Sequence, residues 1–253
     1  GASQLADFLQ TAPGVGIIDN ASGTQTIQIR GINSVFGNAP VGYYLDELPF
    51  SLIGNTQVPD VRTYDLERLE ILRGPQGTLY GDGSIGGTIR ILTREPNLKT
   101  LQAGFDLTGS TTTDGDNSHA LRGMLNVPLK EDVAAFRLVA SQEELAGWID
   151  NTGTGVGDQN SRTVDNYRGK IRWVPTDRLD MVFSAWHTKE DIVGNSNSLT
   201  DRTTPDPADT YGTEYNLYSA TVRYHFDAFD LVSATSKMNY RNDSVTFLQI
   251  PIP

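Results

Sequence analysis

Residues 68–96 read "RLEILRGPQGTLYGDGSIGGTIRILTREP" and place six glycines in fourteen residues, 74–87, between two apolar runs. Part of the stretch, "GDGSIG" (81–86), fits the G-x-G-x-x-G pattern of a dinucleotide-binding loop. Such a loop follows a strand, opens a helix whose N-terminus holds the pyrophosphate, and is trailed by an acidic residue about twenty positions on. Here the next residues are Thr88, Ile89, Arg90, Ile91, Leu92 and Thr93. They alternate and are rich in β-branched side chains, so they predict a strand rather than a helix. The lysine of a P-loop, G-x-x-x-x-G-K-[ST], is also missing. The glycines therefore serve geometry, through positive φ and close approach of backbones. Residues 74–87 are expected to form a turn, a short helical turn near 78–80 and a tight return into a strand, packed closely against another surface.

Working outward, the 253 residues suffice for one large domain or two ordinary ones. A formal net charge of −11 argues against nucleic acid as a partner, because phosphate recognition wants a basic face. With no cysteine there is neither a disulfide framework nor a thiolate metal site. His119, His187 and His225 lie far apart without metal-ligand spacing, so no metal is expected. No apolar run is long enough for a transmembrane helix, yet a barrel strand needs only about ten alternating residues. Residue 1 is Gly and no signal peptide is visible, so the chain is expected to be part of something longer.

The motif "LERLEILRGPQGTLYGDGSIGGTIRILTREP" (66–96) is similar to the signature of the plug domain of TonB-dependent outer-membrane receptors. "LADFLQTAPGV" (5–15), "TIQIRGI" (26–32) and "VGYYLDELP" (41–49) resemble three more plug segments in the family order. The resemblance covers about the first hundred residues. It implies an α+β plug over residues 1–97, with its amino end and TonB-contacting box missing. It also implies that residues 98–253 are the first part of an antiparallel transmembrane β-barrel whose later strands lie elsewhere.

The remainder, read alone, agrees. Alternation runs through "QAGFDLTGS", "ALRGMLNVPL", "AAFRLVAS", "YRGKIRWV", "LDMVFSA" and "YSATVRYHF", and less cleanly through "LVSATSKMNY". In the clearest run, Tyr167, Gly169, Ile171 and Trp173 oppose Arg168, Lys170 and Arg172. Tight links ("PLKED", "PTDRL", "FDAFD") alternate with long polar loops at 111–117, 143–166 and 188–214, as in an outer-membrane meander. Trp148, Tyr167, Trp173, Tyr215, Tyr218 and Tyr224 are expected near strand ends or outer faces, as an interfacial girdle. A soluble β-sandwich also alternates, but a row of three cations would then face a dry core or bulk water. In a wide barrel the row is expected to face a wet lumen, where charge costs little. Seven visible strands do not close a barrel, so this chain alone is not expected to transport anything.

No catalytic constellation emerges, and no enzyme activity or cofactor is expected. Glu143 with Glu144, and Asp46 with Glu47, are adjacent strand residues that point to opposite faces, so they read as solvated charges. The acidic loops "TTTDGDN" and "DPAD" lack the length and closing Glu of an EF-hand.

By resemblance, Arg30 ("IRG") and Arg73 ("LRGP") are implied to dock the plug against glutamates of the barrel wall, with Glu67 and Glu70 as local candidate partners. The segments after "IRGI" (33–40) and "YYLDEL" (49–60) are implied to face outward, with Phe36, Asn38, Phe50 and Asn55 as candidate ligand contacts. The implied function is energy-coupled import of a scarce nutrient across the outer membrane of a Gram-negative bacterium. Its partners are TonB, outer-membrane lipid and a small-molecule ligand such as a ferric siderophore. A glycan, vitamin B12 or another metal complex stays open as cargo, because cargo is set by variable loops and by later strands; apical loops rich in Asn, Thr and Gly keep the glycan in view. A soluble β-rich enzyme, binding protein or adhesin is the alternative from another class.

Overall fold

The computed structural model describes residues 5–19, 24–34, 37, 39–52, 57–80, 83–194, 198–199, 201–205 and 209–245. Helix α1 (Leu5–Leu9) leads into β1 (Val15–Asp19) and β2 (Thr24–Ile29). Next come β3 (Val41–Leu45), β4 (Leu48–Pro49), β5 (Gln57–Pro59), β6 (Leu66–Arg73), the one-turn helix α2 (Gly77–Tyr80) and β7 (Gly87–Thr93). These strands make two small sheets, ordered β1-β2-β5 and β4-β3-β7-β6, with β3 and β7 parallel.

The described residues of the glycine run, 74–80 and 83–87, adopt the expected turn, short helix and return into a strand. The Gly74 N–H donates to Gly86 O and the Gln76 N–H to Ser84 O, closing the loop on itself. The Ile85 and Gly86 N–H groups both donate to Pro40 O, which seals it against the chain entering β3. Gly87 sits at φ +149°, where an added Cβ would lie 2.5 Å from Leu72 O and 2.8 Å from Ile29 Cδ1. Gly87→Ala is expected to lower stability by about 1–3 kcal/mol, since backbone conformation and contact both oppose a side chain. Thermal unfolding checks this, and an unchanged midpoint would show that the loop can shift freely.

The rest of the chain forms one large antiparallel sheet with two loop strands. Its strands are β8 (Gln102–Thr111), β9 (Asn117–Lys130), β10 (Ala134–Leu145), β12 (Ser161–Thr176), β13 (Leu179–Val193), β15 (Thr210–His225) and β16 (Asp230–Val245). Each neighbours the next in sequence order, an up-and-down meander of seven strands that does not close. The strands hold 10 to 16 residues, enough to cross a hydrocarbon layer at a tilt. Between the long loops, β11 (Asp150–Asn151) and β14 (Thr203–Thr204) pair in parallel and tie one loop to the other. No described helix is long and apolar enough to cross a membrane.

The strands run further into the polar segments than alternation suggests. β10 continues to Leu145, β12 begins at Ser161, β13 reaches Val193 and β15 begins at Thr210, so the loops are shorter than expected. Beyond the apolar band both faces of a strand carry polar residues, and the pattern fades while the hydrogen-bond ladder continues.

The two faces of the large sheet differ. Tyr167, Ile171 and Trp173 are 50%, 51% and 45% exposed, whereas Arg168 and Lys170 between them are 3% and 4% exposed. The outer-face half of the expectation holds, and the wet lumen does not. Arg168 and Lys170 are covered by the small sheets and ion-paired there, while Arg172 stays partly exposed and pairs most closely with Asp180 of the large sheet itself. Tyr215 is also corrected: it points inward and is buried, not part of an outer girdle. One apolar cluster joins the units, with Val41, Tyr43, Leu45, Phe50, Ile89 and Ile91 from the small sheets meeting Trp186, Tyr215 and Leu217 from the large one.

Candidate functional site

The seam between the small sheets and the inner face of the large one carries most of the buried charge. Its first knot forms where the chain leaves β5. Arg62, on the segment linking β5 to β6, is almost wholly buried. Its Nη2 lies 3.3 Å from Asp60 Oδ2 and 3.3 Å from Glu190 Oε1, and its Nη1 lies 3.6 Å from Glu143 Oε2. Glu143 on β10 and Glu190 on β13 also receive wall arginines. Arg122 Nε donates to Glu143 Oε1 at 2.8 Å, and Arg162 Nε lies 3.2 Å from Glu190 Oε1. Asp60 Oδ1 accepts from the Gln25 side-chain amide and the Val61 N–H, both at 2.8 Å.

The second knot centres on Asp65, held at φ 60° in the turn before β6. Arg137 of β10 grips its carboxylate with two nitrogens, Nε at 2.7 Å from Oδ2 and Nη2 on Oδ1. Arg168 Nη2 of β12 donates to Asp65 O at 2.9 Å and lies 3.3 Å from Oδ2, while its guanidinium stacks over Trp186 at 4.9 Å. Two residues further along β12, Lys170 Nζ donates to Asp46 Oδ2 at 2.8 Å. Asp46 occupies a left-handed position (φ 54°) and also accepts from the Thr93 N–H at 2.8 Å. Last, Glu95 receives Arg223 Nη1 at 2.9 Å and lies 3.7 Å from Arg172 Nη1, beside the wall's own Asp180.

The residues expected from sequence are placed differently. Arg30 and Arg73 are both exposed, and neither forms an ion pair with a described residue. Glu67 and Glu70 do not partner them. Glu67 pairs with Arg68, and Glu70 accepts from Arg68 Nε at 2.7 Å and from Arg90 Nη1 at 2.6 Å. The Arg68 hydrogen bond, aided by the nearby Arg90 charge, holds the Glu70 carboxyl below its usual range. Phe50 is corrected as an outward contact. It is 1% exposed, with its ring 6.0 Å from Tyr43 and 5.3 Å from Tyr215, because an aromatic ring there gains more by joining the core than by facing water. Phe36, Asn38 and Asn55 lie outside the described residues. Glu143 and Asp46, expected to be solvated, are corrected as seam residues, whereas Glu144 and Glu47 stay exposed on the opposite faces. Arg62, Asp65 and Glu95 went unnoticed. The available signal is charge within otherwise apolar plug segments, as in "VPDVRTYDLE".

Comparison with known proteins places this geometry. The family model of the TonB-dependent receptor plug domain matches residues 1–88. Residues 1–88 are thus similar to the plug of a TonB-dependent receptor. This matched segment carries Arg62, Asp60, Asp65 and Asp46 of the seam, and the wall it meets also resembles that of the receptors. The chain is homologous to the pesticin receptor of Yersinia enterocolitica, 28% identical over 232 residues that cover 85% of this chain and 32% of the relative. The pesticin receptor of Yersinia pestis matches over the same shares. Among solved structures, the ferric yersiniabactin uptake receptor of Yersinia pestis superposes with a TM-score of 0.77 at 25% identity, covering 95% of this chain and 39% of that one. The alcaligin outer-membrane receptor of Bordetella pertussis shares the fold, with a TM-score of 0.71 at 20% identity over 97% of this chain and 37% of that one. The chain spans about a third of the curated relatives it matches.

Proposed function

We propose that this chain is the plug (1–97) and the amino-terminal wall (98–253) of an outer-membrane receptor that imports a ferric siderophore with energy supplied through TonB. One observation carries the reading. A plug with charged side chains is clamped by buried ion pairs to the inner face of a sheet whose outer face is apolar and exposed. That arrangement suits a gate inside a membrane barrel, where polar groups must be satisfied within the protein and apolar ones meet lipid. The chain has no catalytic role in this reading. Phe36, Asn38 and Asn55 contact the ligand from the plug apices. Arg30 and Arg73, exposed on the plug, meet carboxylates of wall strands that this chain does not contain.

Uptake tests the reading. Iron-starved cells that depend on the intact receptor are expected to accumulate radiolabelled iron from ferric yersiniabactin, and to stop when TonB is removed. Accumulation that persists without TonB, or none with any ferric siderophore, would sink it. The outer face gives a separate prediction. Ile171→Arg puts a charge on the lipid-facing side, at a cost of about 2–4 kcal/mol near the midplane. Its expected result is a reduced folded fraction in the outer membrane, and normal insertion would show that this face is not in lipid.

A further inference from the structure

We propose that the inner wall of β10, β12 and β15 is an anion-binding track for a carboxylate-bearing ferric chelate, and that Asp46, Asp65 and Glu95 occupy it at rest in place of the cargo's carboxylates. This rests on the uptake reading above.

The argument starts from an imbalance between two parts of the same wall. Where Arg62 docks, the wall largely answers its own charges, since Glu143 has Arg122 and Glu190 has Arg162. Towards the short-turn end it does not. Arg137, Arg168, Lys170, Arg172 and Arg223 line that part, and the carboxylate the wall itself brings to them is Asp180, paired with Arg172. The remaining counter-charges come from Asp65, Asp46 and Glu95, which precede the large sheet in the chain. Arg137 stands directly opposite Lys170 in the β10–β12 register. Like charges so placed weaken a strand pair, so the sheet carries this cost in its own architecture.

The cations also make a continuous series. Arg168, Lys170 and Arg172 are alternate residues of one strand, spaced about 6.6 Å apart, with Arg137 on the neighbouring strand and Arg223 beside Asp180. A carboxylate leaving one cation comes within reach of the next. Arg168 adds a donor without an acceptor, as its buried Nη1 has no hydrogen-bond partner among the described residues. Guanidinium forks suit planar carboxylates, and Arg137 already holds Asp65 by two nitrogens. Once the plug moves aside, its carboxylates leave with it. Among the described residues, that part of the wall then presents five cations against one carboxylate, a field that draws anions along the strand.

The test separates a track from a docking contact, because each pair can be broken from either side. The intact receptor is placed in a planar bilayer with a KCl gradient, and urea is raised until the plug is displaced and current flows. The expected current prefers chloride over potassium by roughly threefold or more, as rings of cationic side chains impose in pores. Arg172→Gln with Arg223→Gln should lower the preference clearly, since two of the five cations go while Asp180 keeps its charge. Arg172→Lys with Arg223→Lys should retain it, and so should Glu95→Gln, which removes the two Glu95 contacts from the plug side and leaves the cations in place. Potassium preference, no preference, an unchanged preference in the double Gln variant, or no current before the wall itself unfolds each overturns the proposal. Uptake of ferric yersiniabactin is measured in parallel. No uptake with chloride preference intact removes the cargo reading alone, whereas uptake without that preference removes the track alone.

Discussion

Arg62→Ala is expected to loosen the plug more than any other single substitution in this chain. The change leaves Asp60, Glu143 and Glu190 facing one another in a site where all four side chains are almost fully buried. Arg122, on the other carboxylate oxygen of Glu143, and Arg162, on the same oxygen of Glu190, neutralise part of that charge but leave Asp60 and Glu143 Oε2 without their cation. Removing one partner of a buried ionic cluster costs about 3–5 kcal/mol, because the remaining charges keep their desolvation and lose their attraction. Arg62→Lys should recover little, since a single ammonium cannot reach carboxylates on three elements as a guanidinium fork does. The readouts are protease sensitivity of the plug and the unfolding midpoint of the intact receptor. An unchanged cleavage pattern would falsify the claim that this knot holds the plug.

Lys170→Glu is expected to come second, at the lower end of the same range, about 3 kcal/mol, because Asp46 keeps some contact with water. Reading the strand as one side of a water-filled lumen predicts that this change is tolerated. The seam predicts the reverse, because the new carboxylate meets Asp46 where Lys170 Nζ now donates at 2.8 Å. Asp46 cannot easily turn away, since it also accepts from Thr93. A second change supplies the control. Asp46→Asn removes the repulsion, and asparagine tolerates the left-handed backbone at that position. The double variant should recover most of the lost stability. Equal instability of single and double variants would mean that Lys170 matters through packing and not through its charge.

Much of the fold was legible along the chain because it depends on local pattern. Residues 88–93 alternate and follow glycines, so they form β7 and not a nucleotide-binding helix. The "YRGKIRWV" run showed which face of β12 is apolar, and its side chains point as the period of two requires. Strand ends were less legible, since β10 and β15 continue through residues whose two faces are both polar.

The site was legible only in part. Arg30 and Arg73 stand out in their motifs, yet within this chain they are exposed, while Arg62 and Asp65, in a segment that reads as an ordinary polar turn, are buried. By itself the sequence determined the class of each strand, the direction in which each side chain leaves it, and the glycine-built turn, all set by backbone geometry over a few residues. Tertiary structure alone decided which charges meet. Asp65 contacts Arg137 and Arg168 across 72 and 103 positions, and Lys170 reaches Asp46 across 124. An isolated charge on a strand face reads the same whether water or an opposite charge covers it. Only the docking of the small sheets against the wall removes the water and turns a row of surface cations into a buried seam.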